Sequence, residues 1–359
     1  MTLRIKLQQL LSSLVHPLFA VVLGLLTGAI AIMLVGQPVF ATYQELWNGA
    51  FGNFYFVTAT LARATPIMLV GLGVALAFRA GVFNLGAEGQ MVLGAVSAAL
   101  AALYMPGPGL VKLAAAVIAG VLAGGLWSLF AGWMETKFKV QLLISTLLLN
   151  YIAILFASYL VAEPFQDKSG SAALAQTPMI DQSAWLPKLF AGMSLHAGFP
   201  IAIVCAIVMY LVFRFTSAGY EIKMLGLNPM FASYGGVNKP KMLLYSMFLS
   251  GSLAGLAGTV EVLGTQYRFV DASLTAPGFA WTGIMATLLA NSNPLGTVVA
   301  AILLAALQTG AMGMERNTDV PLEIAGVIQA VLILFVSAKI TWNFWKLRKT
   351  KGSEPVGTI

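Results

Sequence analysis

Apolar residues in this chain gather into runs near 14–36, 57–80, 85–105, 111–134, 140–162, 197–215, 242–263, 279–290, 294–314 and 320–340. Most hold about 20 residues, the length that carries a helix across ~30 Å of hydrocarbon. The pattern predicts an all-α polytopic membrane protein with about ten transmembrane segments. Two places break it. The run 279–290 has twelve residues, which rise only ~18 Å, and Asn291-Ser292-Asn293-Pro294 follows it, so it reads as a half-helix or re-entrant piece. Between the second and third runs, Phe78-Arg79-Ala80-Gly81-Val82-Phe83-Asn84-Leu85-Gly86-Ala87-Glu88-Gly89-Gln90-Met91 sets an arginine, a glutamate and three glycines at membrane depth. Ionisable groups there are costly unless paired or facing a cavity. Irregular backbone is tolerated only inside protein or along a water-filled cavity. If segments 2–5 and 7–10 are inverted repeats, the two breaks fall in comparable places, as around the binding path of many transporters.

Composition sharpens this picture. Of the 359 residues 59% are hydrophobic and only 9% charged, against roughly 25% charged in an average soluble domain. The net charge of +7 is not a nucleic-acid signal, because the basic residues sit at the ends of apolar runs, where they act as topology signals. Loops on the side of the N-terminus carry fourteen lysines and arginines and the opposite loops five, which predicts cytoplasmic termini. The reading is one membrane domain over 1–359, with a periplasmic loop at 163–196, a cytoplasmic loop at 216–241 and a basic cytoplasmic tail at 341–359. The apolar run from Leu18 to Val35, preceded by Arg4 and Lys6, exceeds a signal-peptide core and is expected to be a retained first span. Cys205 is the only cysteine, so no disulfide forms within the chain.

Few residues carry chemistry. Asn84, Gly86, Glu88, Gln90 and Asn150 are the candidates for the substrate path. Glu88 has two readings: it lines the path and accepts hydrogen bonds from a polar solute, or it sits in the first turn of a helix and is stabilised by free N–H groups and the helix dipole. Gln90 and Asn150 also suit helix-to-helix hydrogen bonding. In the cytoplasmic loop, Asn228-Pro229 matches a helix start and Gly235-Gly236 a stop, giving a short helix over Met230 to Tyr234. A second short helix is expected over Tyr220 to Leu225. Such a pair can present Met230 and Phe231 to a groove on a partner, or lie on lipid headgroups. Leu249-Ser250-Gly251-Ser252 sits in an apolar helix with small residues at 251, 255 and 258, which suits close packing. There is no Walker-type G-x-x-x-x-G-K-[ST], so no ATP site is expected here. His16 and His196 lack companions at ligand spacing, so no metal site is expected either.

Arg79 to Met91, Gly226-x-Asn228-Pro229 and Leu249-Ser250-Gly251-x-Leu253-Ala254-Gly255-Leu256-Ala257-Gly258 together resemble the permease subunits of ATP-binding-cassette (ABC) importers for simple sugars, nucleosides and branched-chain amino acids. The wording around Asn84 to Met91 is most similar to the purine-nucleoside branch. One departure is Gln141-Leu142, where relatives of that branch often carry Asn-Glu. The resemblance implies a non-catalytic subunit of the bacterial cytoplasmic membrane that supplies the path by alternating access. It also implies a second permease subunit (a different chain, with a copy of this one as the alternative), ATPases that bind ATP and Mg, and an extracytoplasmic substrate-binding protein. Gly226, Asn228 and Pro229 fall where the family's ATPase-coupling loop lies, with Met230 and Phe231 beside them. The rival reading is an autonomous transporter driven by H⁺ or Na⁺, with Glu88 and Glu261 as the intramembrane carboxylates such a mechanism needs.

Overall fold

The computed structural model describes residues 22–169, 174–318, 320–331 and 334. The 341–359 tail, the first residues of the opening run and the end of the last one lie outside the described residues. Helices occupy every expected segment: α1 (Val22–Leu34), α3 (Phe54–Arg79), α4 (Ala87–Tyr104), α5 (Gly109–Phe138), α6 (Leu142–Ala162), α7 (Gly198–Phe215), α10 (Lys239–Glu261), α11 (Phe279–Leu289), α12 (Pro294–Asn317) and a helix at 323–331. The 216–241 region adds α8 (Ser217–Leu227) and α9 (Pro229–Tyr234). Among the described residues no strand forms, only two isolated bridges, Gln176 with Val270 and Lys188 with His196. Seven helices are long and apolar enough to cross a membrane, and α1 with the helix that follows it makes an eighth if that bent pair is one span. The protein is an all-α, multi-pass membrane protein.

The chain divides into two compact units, one of Met1–Gly52 with Leu307–Ile359 and one of Asn53–Ala306. The first contains a helix absent from the hydropathy reading, α2 (Val39–Phe51), which turns 119° from α1. Gly49 of α2 meets Gly313 and Gly310 of α12 at backbone distance, where any side chain would intrude.

The larger unit is built on close-packed helices. In α4 and α10, Gly94 faces Gly255; α5 enters the same seam through Gly120 and Gly124. A Cβ at Gly94 would stand 2.6 Å from the Gly255 carbonyl oxygen, so the two backbones touch directly. With lipid on the outside there is no hydrophobic drive between helices, and small residues that admit such contact supply the packing instead. The small-residue run at 251, 255 and 258 is therefore a packing surface.

The segment 174–197, within the stretch read as a loop at 163–196, packs along the strip that follows α10. Its backbone pairs with the strip that follows α10: Ile180 N–H donates to the Tyr267 carbonyl at 2.8 Å and Leu186 N–H to the Leu263 carbonyl at 2.9 Å. Trp185 stacks on Tyr267 with ring centroids 3.8 Å apart.

Candidate functional site

The first break is a cage. After α3 the chain turns at Gly81 (φ +75°), and residues 82–86 run without regular structure into α4. The Asn84 side chain holds this stretch in place. Its Nδ2 donates to Gln90 Oε1 at 3.0 Å and to Ser250 Oγ of α10 at 2.9 Å. Its Oδ1 accepts from Gly86 N–H and Gln90 Nε2, both at 3.0 Å. Asn150 of α6 closes the other side: Oδ1 accepts from Gly89 N–H at 2.8 Å and Nδ2 donates to the Leu85 carbonyl at 2.9 Å. Asn84, Gln90 and Asn150 are 0%, 1% and 4% exposed. Asn84 and Asn150 satisfy backbone groups that an irregular segment inside a membrane would otherwise leave bare, and Gln90 holds Asn84 in place. Gly86 sits against Gln90 and Thr146, with no room for a larger residue.

Glu88 behaves differently. It is half-buried in the first turn of α4, and its Oε2 accepts from Trp281 Nε1 of α11 at 3.1 Å. From the first turn of α4 the carboxylate is thus tied to the second interrupted element. A second link joins the breaks near their other ends: Arg79 Nε donates to the Ser292 carbonyl at 2.8 Å. Asn291 and Ser292 have φ of +50° and +56°, so this turn follows α11 in a left-handed conformation. Between the two links, Thr287 Oγ1 donates to the Gly71 carbonyl at 2.6 Å, seating the half-helix on α3. The two interruptions, some 200 residues apart in sequence, are one hydrogen-bonded assembly.

The 216–241 segment forms the two expected short helices, the first of them longer than expected because Thr216 caps it from residue 217. Asn228 Oδ1 accepts from Met230 N–H at 3.1 Å and Phe231 N–H at 3.0 Å, with Pro229 at the first helical position. The helix ends at Gly235, and Gly236 has φ +83°. Met230 and Phe231 remain 71% and 58% exposed. Ile222, Leu225 and Ala232 are buried, so they anchor the loop while the apolar pair stands clear.

Gly226 connects this loop to the break. A Cβ there would fall 2.9 Å from the Arg79 carbonyl carbon and 2.9 Å from the Gly81 nitrogen, and closer still to the Arg79 oxygen. The loop therefore rests on the turn that ends α3, against the backbone of the residue whose guanidinium is bound to Ser292. A cavity of about 450 Å³ opens at this joint, lined by Gly81, Glu135, Lys139, Gly226, Pro229 and Lys239 among others.

At the far end of α3 lies a residue absent from the loop census. Arg63 sits inside an apolar run, 5.4 Å from the centroid of the Phe279 ring and within electrostatic reach of Glu261. Glu261 is buried at the end of α10, beside Thr265 and Gln266, which hydrogen-bond it. The helix there loosens into a π turn over Val262–Gln266. A signal for Arg63 existed, since an arginine flanked by Leu61, Ala62 and Ala64 is an intramembrane charge needing a partner. Trp281 carried no comparable signal. His196, just before α7, is fully buried; burial and then the nearby Lys188 ammonium lower its imidazole from 6.5 to about 4. Its Nδ1 accepts from Gly198 N–H at 3.2 Å, a structural use.

Residues 56–337 match the family model described as branched-chain amino acid transport system / permease component. The chain is 36% identical to the guanosine ABC transporter permease protein NupP of Bacillus subtilis, over 94% of this chain and 98% of that one. It is also 27% identical to NupQ, a guanosine ABC transporter permease protein of the same organism, over 68% of this chain and 78% of NupQ. The glucose ABC transporter permease protein TsgB13 of Haloferax volcanii is 31% identical over 92% of this chain and 88% of its own length. By family match and by similarity over nearly the full length, the chain belongs to the branched-chain amino acid transport system / permease component family, as an ABC importer permease of the nucleoside and sugar group.

Proposed function

We propose that this chain supplies the transmembrane path of an ATP-driven nucleoside importer of the bacterial cytoplasmic membrane, with both termini in the cytoplasm. The observation that carries the reading is the contact of Gly226 with the Arg79–Gly81 turn. Through it a push on the α8–α9 loop reaches the first break directly, and the Arg79–Ser292 bond passes it to the second. Gly226, Asn228, Pro229, Met230 and Phe231 are the lever on which a partner ATPase acts. The breaks around Asn84, Gly86, Glu88, Gln90 and Asn150 are the part of the path that moves. ATP and Mg belong to that partner, and an external binding protein delivers the solute. A second permease completes the membrane unit; the existence of two guanosine permease proteins in one organism, both similar to this chain, favours a heterodimer. A sugar is the second substrate reading, favoured by the similarity to TsgB13.

An ion-driven transporter is the poorer account. Glu261 is opposed by Arg63, and Glu88 is bonded to Trp281, so neither is arranged as a free ion carrier. The test is reconstitution with the cognate ATPase, second permease and binding protein in proteoliposomes. Uptake of radiolabelled guanosine should require ATP and be competed by nucleosides better than by glucose. Uptake driven by an imposed proton or sodium gradient without ATP would overturn the reading.

A further inference from the structure

Of the residues grouped around the first break, most are enclosed and already bonded to the chain. Asn84, Gln90 and Asn150 spend their amide groups on the chain itself and are almost wholly enclosed. A solute could reach them only by dismantling the cage. Glu88 is the exception. Among the described residues Trp281 Nε1 is its sole hydrogen-bond donor, and it touches only Oε2. A carboxylate can accept several hydrogen bonds, so Oε1 and the second lone pair of Oε2 are unspent.

The surroundings say which way that capacity faces. Glu88 is half-buried and Trp281 is 40% exposed; the first lies in a candidate membrane span and the second in a short apolar helix. A carboxylate at such depth faces a water-filled cavity or other protein, not lipid tails. The bond from Nε1 also fixes the indole: its polar edge is held by Glu88, which leaves the flat faces of the ring to contact something else. A flat apolar surface beside an unspent acceptor matches a molecule with a flat π system and hydrogen-bond donors a few ångströms away. A nucleoside has both, in its base and its ribose hydroxyls.

We propose that Trp281 and Glu88 form a contact site for the nucleoside during passage, with the base stacked on the indole and a ribose hydroxyl or base N–H donating to Glu88. The site bridges the two breaks, so it is made and unmade as they move. This rests on the nucleoside reading given above.

The experiment uses the complete complex with its binding protein in proteoliposomes, and compares radiolabelled guanosine with uridine. Loss of base stacking typically costs about tenfold or more in affinity. Trp281→Leu should therefore lower guanosine uptake about tenfold and uridine, with its smaller ring, by less. Trp281→Phe, which keeps a ring but no N–H, should retain at least about a third of the uptake. Glu88→Gln should lose about tenfold, the difference between charged and neutral hydrogen bonding. On the wild-type complex, photolysis of bound 8-azidoguanosine should label the peptides holding Trp281 or Glu88, a readout that does not depend on any variant assembling. Wild-type guanosine uptake in Trp281→Leu, an equal loss for both nucleosides, a Trp281→Phe variant as impaired as Trp281→Leu, or labelling confined to other spans would each overturn the site while leaving the nucleoside reading intact. A wild-type complex that moves no nucleoside would sink both.

Discussion

Gly226→Ala is the sharpest probe of whether the α8–α9 loop acts on the path as proposed. The added methyl would lie 2.9 Å from two backbone atoms of the Arg79–Gly81 turn and nearer still to a third, where a Cβ needs at least 3.0 Å. None of these atoms belongs to a side chain that could rotate away. Gly81 is already held at φ +75°, so the turn has little freedom of its own. The loop and the end of α3 must therefore separate by several tenths of an ångström to about one ångström. Overpacking of this kind costs ~1–3 kcal/mol. The displacement falls beside Arg79, whose bond to Ser292 couples the two breaks. The expected result is normal membrane insertion and retained ATPase binding, because Met230 and Phe231 are untouched. Import should fall at least about tenfold, with more ATP hydrolysed per nucleoside moved. Fluorescence-detected size exclusion reports assembly, and paired hydrolysis and uptake rates in proteoliposomes report coupling. Gly235→Ala is the control from the same loop: φ is −77°, and its Cβ would meet only ordinary contacts at 3.4 Å and beyond. If Gly226→Ala imports with wild-type coupling, the loop does not work through this turn.

Three further outcomes are expected. Phe231→Ala should weaken ATPase capture by about thirtyfold, an interface anchor being worth ~2 kcal/mol, with insertion unchanged; titrated co-purification measures it, and undiminished capture would assign Phe231 to the lipid surface. Asn150→Ala leaves Gly89 N–H and the Leu85 carbonyl buried without their partner, at ~1–3 kcal/mol each, and should lower the thermal midpoint of the complex in detergent; an unchanged midpoint would show that the cage does not hold the break. For His196 the folded imidazole titrates near 4 and the unfolded one near 6.5, so the unfolded chain binds the extra proton in between. Its contribution is complete above 6.5 and is lost as pH falls toward 4, up to ~3 kcal/mol; His196→Asn keeps an acceptor for Gly198 N–H and should flatten the pH dependence of the midpoint in that window.

What the sequence made legible was local. Runs of about 20 apolar residues locate the spans, because a helix in lipid must satisfy its own backbone and cover it with hydrocarbon. Asn228-Pro229 and Gly235-Gly236 locate α9, because capping is settled within a few residues. The two breaks were visible for the same reason. Helix α2 was missed because it turns away from α1 as a separate, shorter element that no span-length window isolates. Arg63 was missed because a single arginine barely lowers the hydropathy of the run that holds it. Trp281 could not have been found at all by local means, since its partner Glu88 lies 193 positions away. The same holds for Asn84 with Ser250, separated by 166, and for Arg79 with Ser292, separated by 213. Every contact that joins the breaks to each other or to the α8–α9 loop is of this long-range kind. An isolated break is only a place where a helix stops. Two breaks tied through Arg79 and Glu88, with Gly226 resting on the same turn, are a contiguous set of contacts, and the coupling proposed for them is what Gly226→Ala tests.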